Sequence, residues 1–190
     1  MGRPALKKGA IERSALELFV EKGIDGVSIR DIAQRAGVTE GALYRHHKSK
    51  NDLVRHLFFE SYGHFATTIR EVDELEMPFA DGMRRMVQSL FKVYDEDPFA
   101  FQFVMIVRHW LLDEVRVDEK HGQRMILHML ERAMRNGEIP KQNLELTTQL
   151  LVGMIGQTAV GVQHKTVKGG LSTHAEAVAR YCTLVAMTAA

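Results

Sequence analysis

Cysteine is almost absent from this chain, with one residue, Cys182, in 190. A single thiol makes no intramolecular disulfide, and its place in an apolar helical pattern reads as a packed core or interface residue in a reducing cytoplasm. Long apolar runs are also missing. Stretches such as Leu150 to Ile155 fall far short of the roughly 20 residues that span a bilayer. Nor does the opening Met1-Gly2-Arg3-Pro4 lead into the apolar segment of a secretory signal. The expectation is a cytoplasmic protein without a membrane partner. No run alternates apolar and polar residues long enough to read as a strand, and neither an internal repeat nor a low-complexity segment is visible. Glycine-rich phosphate loops and activated nucleophiles are lacking too. The chain is therefore expected to be no enzyme, with no cofactor and no bound metal.

What is present is ordinary in amount and uneven in placement. Hydrophobic residues at 45% and charged residues at 26% are the proportions of a folded soluble protein. The formal charge of +1 hides an asymmetry: residues 1–50 hold ten Lys/Arg against six Asp/Glu, while the remainder holds fifteen against eighteen. A basic head on an acidic body suggests that the head meets a polyanion.

Helical periodicity runs through almost the whole sequence, which predicts an all-α fold of about nine helices. Ile11, Ala15, Leu18 and Phe19 form one stripe of a first helix, ended by Gly23. Ser28 with Asp31 three residues on is a capping-box pattern that opens a second helix, which Gly37 closes. Thr39 caps a third helix expected to reach about His47, and Ser49 with Asp52 starts a long fourth one. Beyond it, Pro78 and Pro98 suit helix starts, and Asn136-Gly137 with Pro140 ends a helix beginning near Val117. Further helices are expected at about 79–94, 98–114, 143–166 and 173–188, the last opened by Thr173 with Glu176 as a capping box.

The segment from Ser28 to His47 has the proportions of a helix-turn-helix. A short turn containing glycine fixes the second helix at a steep angle to the first, so that it enters a major groove about 12 Å wide. Ile29, Ile32, Ala33 and Ala36 are expected to pack inward, with Val38 and Leu43 anchoring the next helix. Thr39, Glu40, Gly41, Ala42, Tyr44 and His46 are left to face outward. Gly41 and Ala42 carry almost no side chain and permit close approach to DNA. A compact helical hairpin without DNA function has the same geometry, so the pattern alone does not decide.

The stretch Ala10 to Leu53, with its core from Ser28 to His46 and its continuation at Lys50, closely resembles the DNA-binding domain of the tetracycline-repressor family. The motif covers about a quarter of the chain. One departure is His47, where the family usually has phenylalanine; in a core position it needs a hydrogen-bond partner. The resemblance implies a DNA-binding domain over residues 1–48 and a helical ligand-binding and dimerisation domain over 49–190. It implies that Tyr44 and Lys50 hold phosphates, that Ser28 donates to a phosphate, and that Thr39, Gly41 and His46 lie near base edges. Lys50, in the first turn of a helix, suits an anion on physical grounds as well. Arg3, Lys7 and Lys8 read as a basic arm before the first helix, equally consistent with solvated terminal charge, and Arg45 is open in the same way.

Seven of the ten methionines, Met77, Met83, Met86, Met105, Met125, Met129 and Met134, lie between residues 77 and 134. Such stripes usually form plain core, yet flexible thioethers also line adaptable apolar sites. The resemblance implies a ligand cavity among the middle helices, which makes Phe58, Tyr62, Phe103, Trp110 and Met125 candidate lining residues and Arg108 and His109 its polar contacts. Small residues mark one face of each of the last two helices: Gly153, Gly156 and Val160, then Ala175, Ala179, Cys182 and Ala186. These faces suit either packing within the chain or a four-helix interface between two chains, and the family resembled is dimeric.

The reading is a homodimeric repressor on double-stranded DNA with a near-palindromic operator, released by a small apolar or amphipathic effector. Two alternatives stand beside it. His56, Glu60 and His64 recur every four residues and could present metal ligands, giving a metal-responsive regulator, and His109 with Asp113 could form a base and its orienter. A solid core without a cavity would instead indicate a ligand-free architectural DNA binder.

Overall fold

A computed structural model describes residues 3–111 and 122–188, with the side chains of residues 3–6 and 108–110 outside that description. The described residues form nine α-helices and no strand: α1 (Arg3–Lys22), α2 (Ile29–Arg35), α3 (Glu40–Tyr44), α4 (Lys50–Asp73), α5 (Phe79–Glu96), α6 (Pro98–Leu111), α7 (Gly122–Arg135), α8 (Leu144–Gln163) and α9 (Ala175–Thr188). A short 3₁₀ turn, Leu171–His174, precedes α9. The expected start near Val117 lies outside the described residues.

Most helix ends follow from local chemistry. Gly23 (φ 75°), Gly37 (φ 65°) and Gly137 (φ 75°) take the left-handed conformation behind α1, α2 and α7, which costs glycine least. Behind α7 the Glu138 amide reaches back to the Ala133 carbonyl at 2.9 Å, satisfying an orphan acceptor. The Ser49 hydroxyl accepts from the Asp52 amide at 3.1 Å at the start of α4. One expected cap does not form. Thr173 lies in the 3₁₀ turn and donates to the Gly170 carbonyl at 2.6 Å. Glu176 instead meets Gln88 and Arg84 of α5 at 2.9 and 3.4 Å. The cap is supplied from far away in sequence: Asp95 accepts from the Leu171 and Ser172 amides at 3.0 and 2.9 Å.

The chain divides into two compact units, residues 1–62 with 98–114, and residues 63–97 with 115–190. That division differs from a single cut after residue 48, because α6 and the first half of α4 belong to the first unit. Its core is built from the stripe of α1 (Ile11, Ala15, Leu18, Phe19), Ile32 and Ala33 of α2, Leu43 of α3, Leu53, Leu57 and Phe58 of α4, and Phe103 and Val107 of α6, all buried. Phe19 stacks on Phe103 with ring centroids 5.8 Å apart, and the Arg13 guanidinium lies 5.1 Å from the Phe99 ring.

In the second unit α5 packs against α9 and α7 against α8. Met83, Met86, Val87 and Phe91 of α5, Met129 and Leu130 of α7, Leu151 of α8 and Cys182 and Ala186 of α9 are buried. Approach is close at Gly82, where a Cβ would stand 3.2 Å from Met129 Cε. Asp73 ties the end of α4 to α7, accepting from Arg132 at 2.7 Å and facing His128 Nδ1 at 2.7 Å. At the start of α5 the Phe79 amide donates to Glu138 at 2.6 Å.

Candidate functional site

The capping box expected at Ser28 is complete. Its hydroxyl accepts from the Asp31 amide at 3.1 Å, while the Asp31 carboxylate receives the Ser28 amide and hydroxyl at 2.8 and 2.6 Å. These bonds, the hydroxyl first and the amide second, hold the Asp31 carboxyl below its ordinary pKa. After α2 the chain turns at Gly37, the Val38 amide bonds to the Ala33 carbonyl at 3.0 Å, and Thr39 accepts from the Ala42 amide at 3.2 Å to open α3. Arg35 braces α2 against α1, reaching Glu21 at 2.6 and 2.9 Å and Glu17 at 3.2 Å. The Arg35 hydrogen bond lowers the pKa of Glu21.

The outward face of this hairpin consists of Thr39, Glu40, Gly41, Tyr44, Arg45 and His46, all exposed, with Tyr44 at 52%. A Cβ added at Gly41 would meet nothing within 4 Å, so packing inside the chain does not require that glycine. Ala42 departs from the expectation. It is 6% exposed and lies with fully buried Leu43 on the inner face, because five residues of helix turn the two adjacent positions toward the core together. Helix α3 is also shorter than expected. Its end at Tyr44 follows from the bond of the His46 amide to the Leu43 carbonyl at 2.9 Å, a tighter turn that closes the helix.

Two basic positions differ from their sequence reading. Arg3, Lys7 and Lys8 are not an arm before the first helix: all three lie in α1, where Lys8 pairs with Glu12 at 3.4 Å. The side chain of Arg3 is outside the described residues. Lys50 sits in the first turn of α4 as expected, but its ammonium donates to the Ile24 and Val27 carbonyls at 2.9 and 3.1 Å, tying the α1–α2 loop to α4.

His47 fills the core position at which phenylalanine was the expected residue, and it is 3% exposed. Its nitrogens stand 3.7 Å from Glu12 and 3.8 Å from Asp52, beyond hydrogen-bond reach, and its ring lies 5.2 Å from that of His56. Burial first, and repulsion from His56 second, lower its pKa against the pull of Glu12 and Asp52, which favours the neutral ring. The hydrogen-bond partner expected for its Nε2 is not found.

Among the candidate pocket residues, Phe58 and Phe103 are core residues of the first unit, with Tyr62 stacked on Phe58 at 5.5 Å. Met125 is buried in the second unit. The side chains of Arg108, His109 and Trp110, and Asp113 itself, lie outside the described residues. Among the described residues, cavities open on the second unit. One of about 560 Å³ is lined by Gln123, Arg124, His128, Glu131, Glu145 and Gln149, and one of about 380 Å³ by Arg84, Glu176, Arg180 and Leu184 among others. Neither is lined by a residue named from sequence as a pocket contact.

The small face of α9 is a correction. Ala175, Ala179, Cys182 and Ala186 are at most 3% exposed in the single chain, on the side of α9 packed against α5, so they are not available to a second subunit. Burial pushes the Cys182 thiol up to about 12, as suits an inert core residue. The opposite side of α9 exposes Tyr181, Leu184 and Met187, and α8 exposes Leu146 and Leu150 beside Gly153, whose Cα faces open space. Gly156 and Val160 are half-buried.

Comparison with known proteins places these features. Residues 11–57 match the family described as bacterial regulatory proteins, tetR family. Over 145 residues the chain is 33% identical to the probable HTH-type transcriptional regulator ArpR of Pseudomonas putida, covering 70% of this chain and 68% of that protein. With the HTH-type transcriptional repressor KstR2 of Mycolicibacterium smegmatis it shares 36% identity over 52 residues, 27% of this chain, and spans only 25% of that relative's length. In fold it resembles the transcriptional regulator FadR of Bacillus subtilis, solved in complex with stearoyl-CoA, with a TM-score of 0.79 and 21% identity over 93% of this chain and 97% of that one.

Proposed function

Because this chain belongs to the tetR family of bacterial transcriptional regulators, we propose that it is a homodimeric, cytoplasmic repressor released from a near-palindromic operator by a small apolar or amphipathic ligand. The observation that carries the DNA-binding part is the face of α3. Thr39, Glu40, Gly41, Tyr44 and His46 are exposed over an anchor of buried Ala42 and Leu43, so polar groups are presented on a helix whose other side is held. In this reading Tyr44 contacts phosphate, while Thr39 and His46 read base edges. Ser28 and Arg3 add backbone contacts at the rim.

One α3 covers too few base pairs for tight specific binding. Two must stand about 34 Å apart to enter successive major grooves. The exposed apolar residues Leu146, Leu150, Tyr181, Leu184 and Met187 on α8 and α9 suit the contact that pairs two chains. The stearoyl-CoA held by the FadR fold neighbour makes long-chain acyl-CoA thioesters the first effectors to try. The unbroken α4 offers the mechanical route by which a ligand in the body changes the placement of α3.

Selection of bound sites from random DNA tests the proposal. We expect a near-palindrome, weakened binding to all sequences in Tyr44→Ala, and altered sequence preference in Thr39 or His46 variants. Calorimetric titration of an acyl-CoA into free and operator-bound protein tests the effector, because linkage requires operator and ligand to weaken one another by the same factor. Equal ligand affinity in both states rules out release by that ligand.

A further inference from the structure

We propose that Glu12 of α1 with His56 and Glu60 of α4 forms a binding site for a divalent transition-metal ion of the zinc class. The sequence pattern pointed to His56, Glu60 and His64. The structure assembles a different set, in which Glu12 comes from α1 and His64 has no part.

One ligand atom each from Glu12, His56 and Glu60 lies within 4.8 Å of the other two. Glu12 Oε1 stands 2.7 Å from His56 Nε2, His56 Nε2 stands 3.5 Å from Glu60 Oε2, and His47 Nε2 stands 3.7 Å from the same Glu12 oxygen. Ligand atoms about 2.0–2.1 Å from a tetrahedral ion are separated by about 3.3 Å, so these spacings bracket what a zinc-class ion demands. The Glu12–His56 contact has to open by only about 0.6 Å to admit it.

The second argument is the state of the polar atoms. Glu12 Oε1, His47 Nε2 and His56 Nε2 are buried and make no hydrogen bond. Glu12 Oε1 has ionic contacts, 2.7 Å to His56 Nε2 and 3.4 Å to the Lys8 ammonium. Buried polar atoms without hydrogen bonds are rare and costly, and both ring nitrogens face the one Glu12 oxygen. An imidazole nitrogen facing two carboxylates forms a nitrogen and oxygen donor set that suits zinc, cobalt or nickel rather than calcium or magnesium. Bound there, the ion joins α1 to the second and third turns of α4.

Full-length, tag-free protein stripped with chelator and titrated with Co²⁺ decides the matter. We expect one equivalent per chain, a visible absorption band of a nitrogen- and oxygen-ligated low-coordinate ion, and a rise in melting temperature. His56→Asn and Glu12→Gln should each weaken binding by at least about tenfold. Glu60→Gln tests the site without disturbing the core, since Glu60 is exposed, and should also weaken it. His64→Ala should leave affinity and spectrum unchanged. Absence of saturable Co²⁺ binding, unchanged binding in Glu12→Gln and Glu60→Gln, or its loss in His64→Ala overturns the proposal.

Discussion

Helices α3 and α9 are held by different means. Helix α3 has five residues, too few to be stable alone, and owes its place to the Thr39 cap, the turn at Gly37 and one fully buried side chain, Leu43. Helix α9 has fourteen residues and a continuous buried stripe of Ala175, Val178, Ala179, Cys182 and Ala186. The short helix therefore leaves most of its surface to solvent, while the long one commits one whole side to the core. A surface intended for DNA can be carried on a marginal element provided that its few anchors are intact, and such an element is sensitive to each of them.

The sharpest test of that contrast is made on α9. Cys182→Glu buries an unpaired carboxylate against α5 and should cost several kcal/mol, melting the second unit rather than separating intact chains. Leu184→Glu, on the opposite exposed side, should keep its helix content and thermal transition but convert a dimer to monomers. Circular dichroism and light scattering on both variants distinguish the two outcomes. Folded monomers from Cys182→Glu would reverse the assignment of faces.

A smaller effect is expected at Lys50. Loss of its two bonds to the Ile24 and Val27 carbonyls should lower the stability of the first unit in Lys50→Ala by about 1.5–3 kcal/mol, read from denaturant melts. The salt dependence of DNA binding should stay unchanged. A log-log salt slope reduced by roughly one, with stability preserved, would return Lys50 to the phosphate role that the resemblance implies.

The smallest effect belongs to the cap of α2. Ser28→Ala should cost about 1 kcal/mol at neutral pH. Because the Asp31 pKa is depressed in the folded state, its contribution is present above the unfolded value of about 3.9 and disappears as pH falls through the folded value. The stability of Ser28→Ala should accordingly fall less steeply than wild type in acid melts below about pH 4. Parallel curves would show that the reciprocal Asp31 bonds do not depend on the hydroxyl.

The features legible in the sequence were those set by neighbours a few residues apart. The Ser28–Asp31 box, the Thr39 and Ser49 caps, the glycines behind α1, α2 and α7, and Pro98 at the head of α6 all act within one turn of helix. Their consequences hold wherever the segment lies. The stripe of α1 was legible for the same reason, since a period of 3.6 places its residues on one side.

What the sequence by itself determined was an all-helical chain with a DNA-reading hairpin near its start. Only the tertiary structure decided which side of α9 is covered, why Ala42 turns inward, and where the Lys50 ammonium goes. It also closed the turn before α9 with Asp95, 76 residues from its first partner Leu171, and drew Glu12 beside His47 and His56. Periodicity tells that a helix has a face to bury but not which neighbour will bury it. A polar atom's partner is chosen by distance in space, which separation along the chain does not encode.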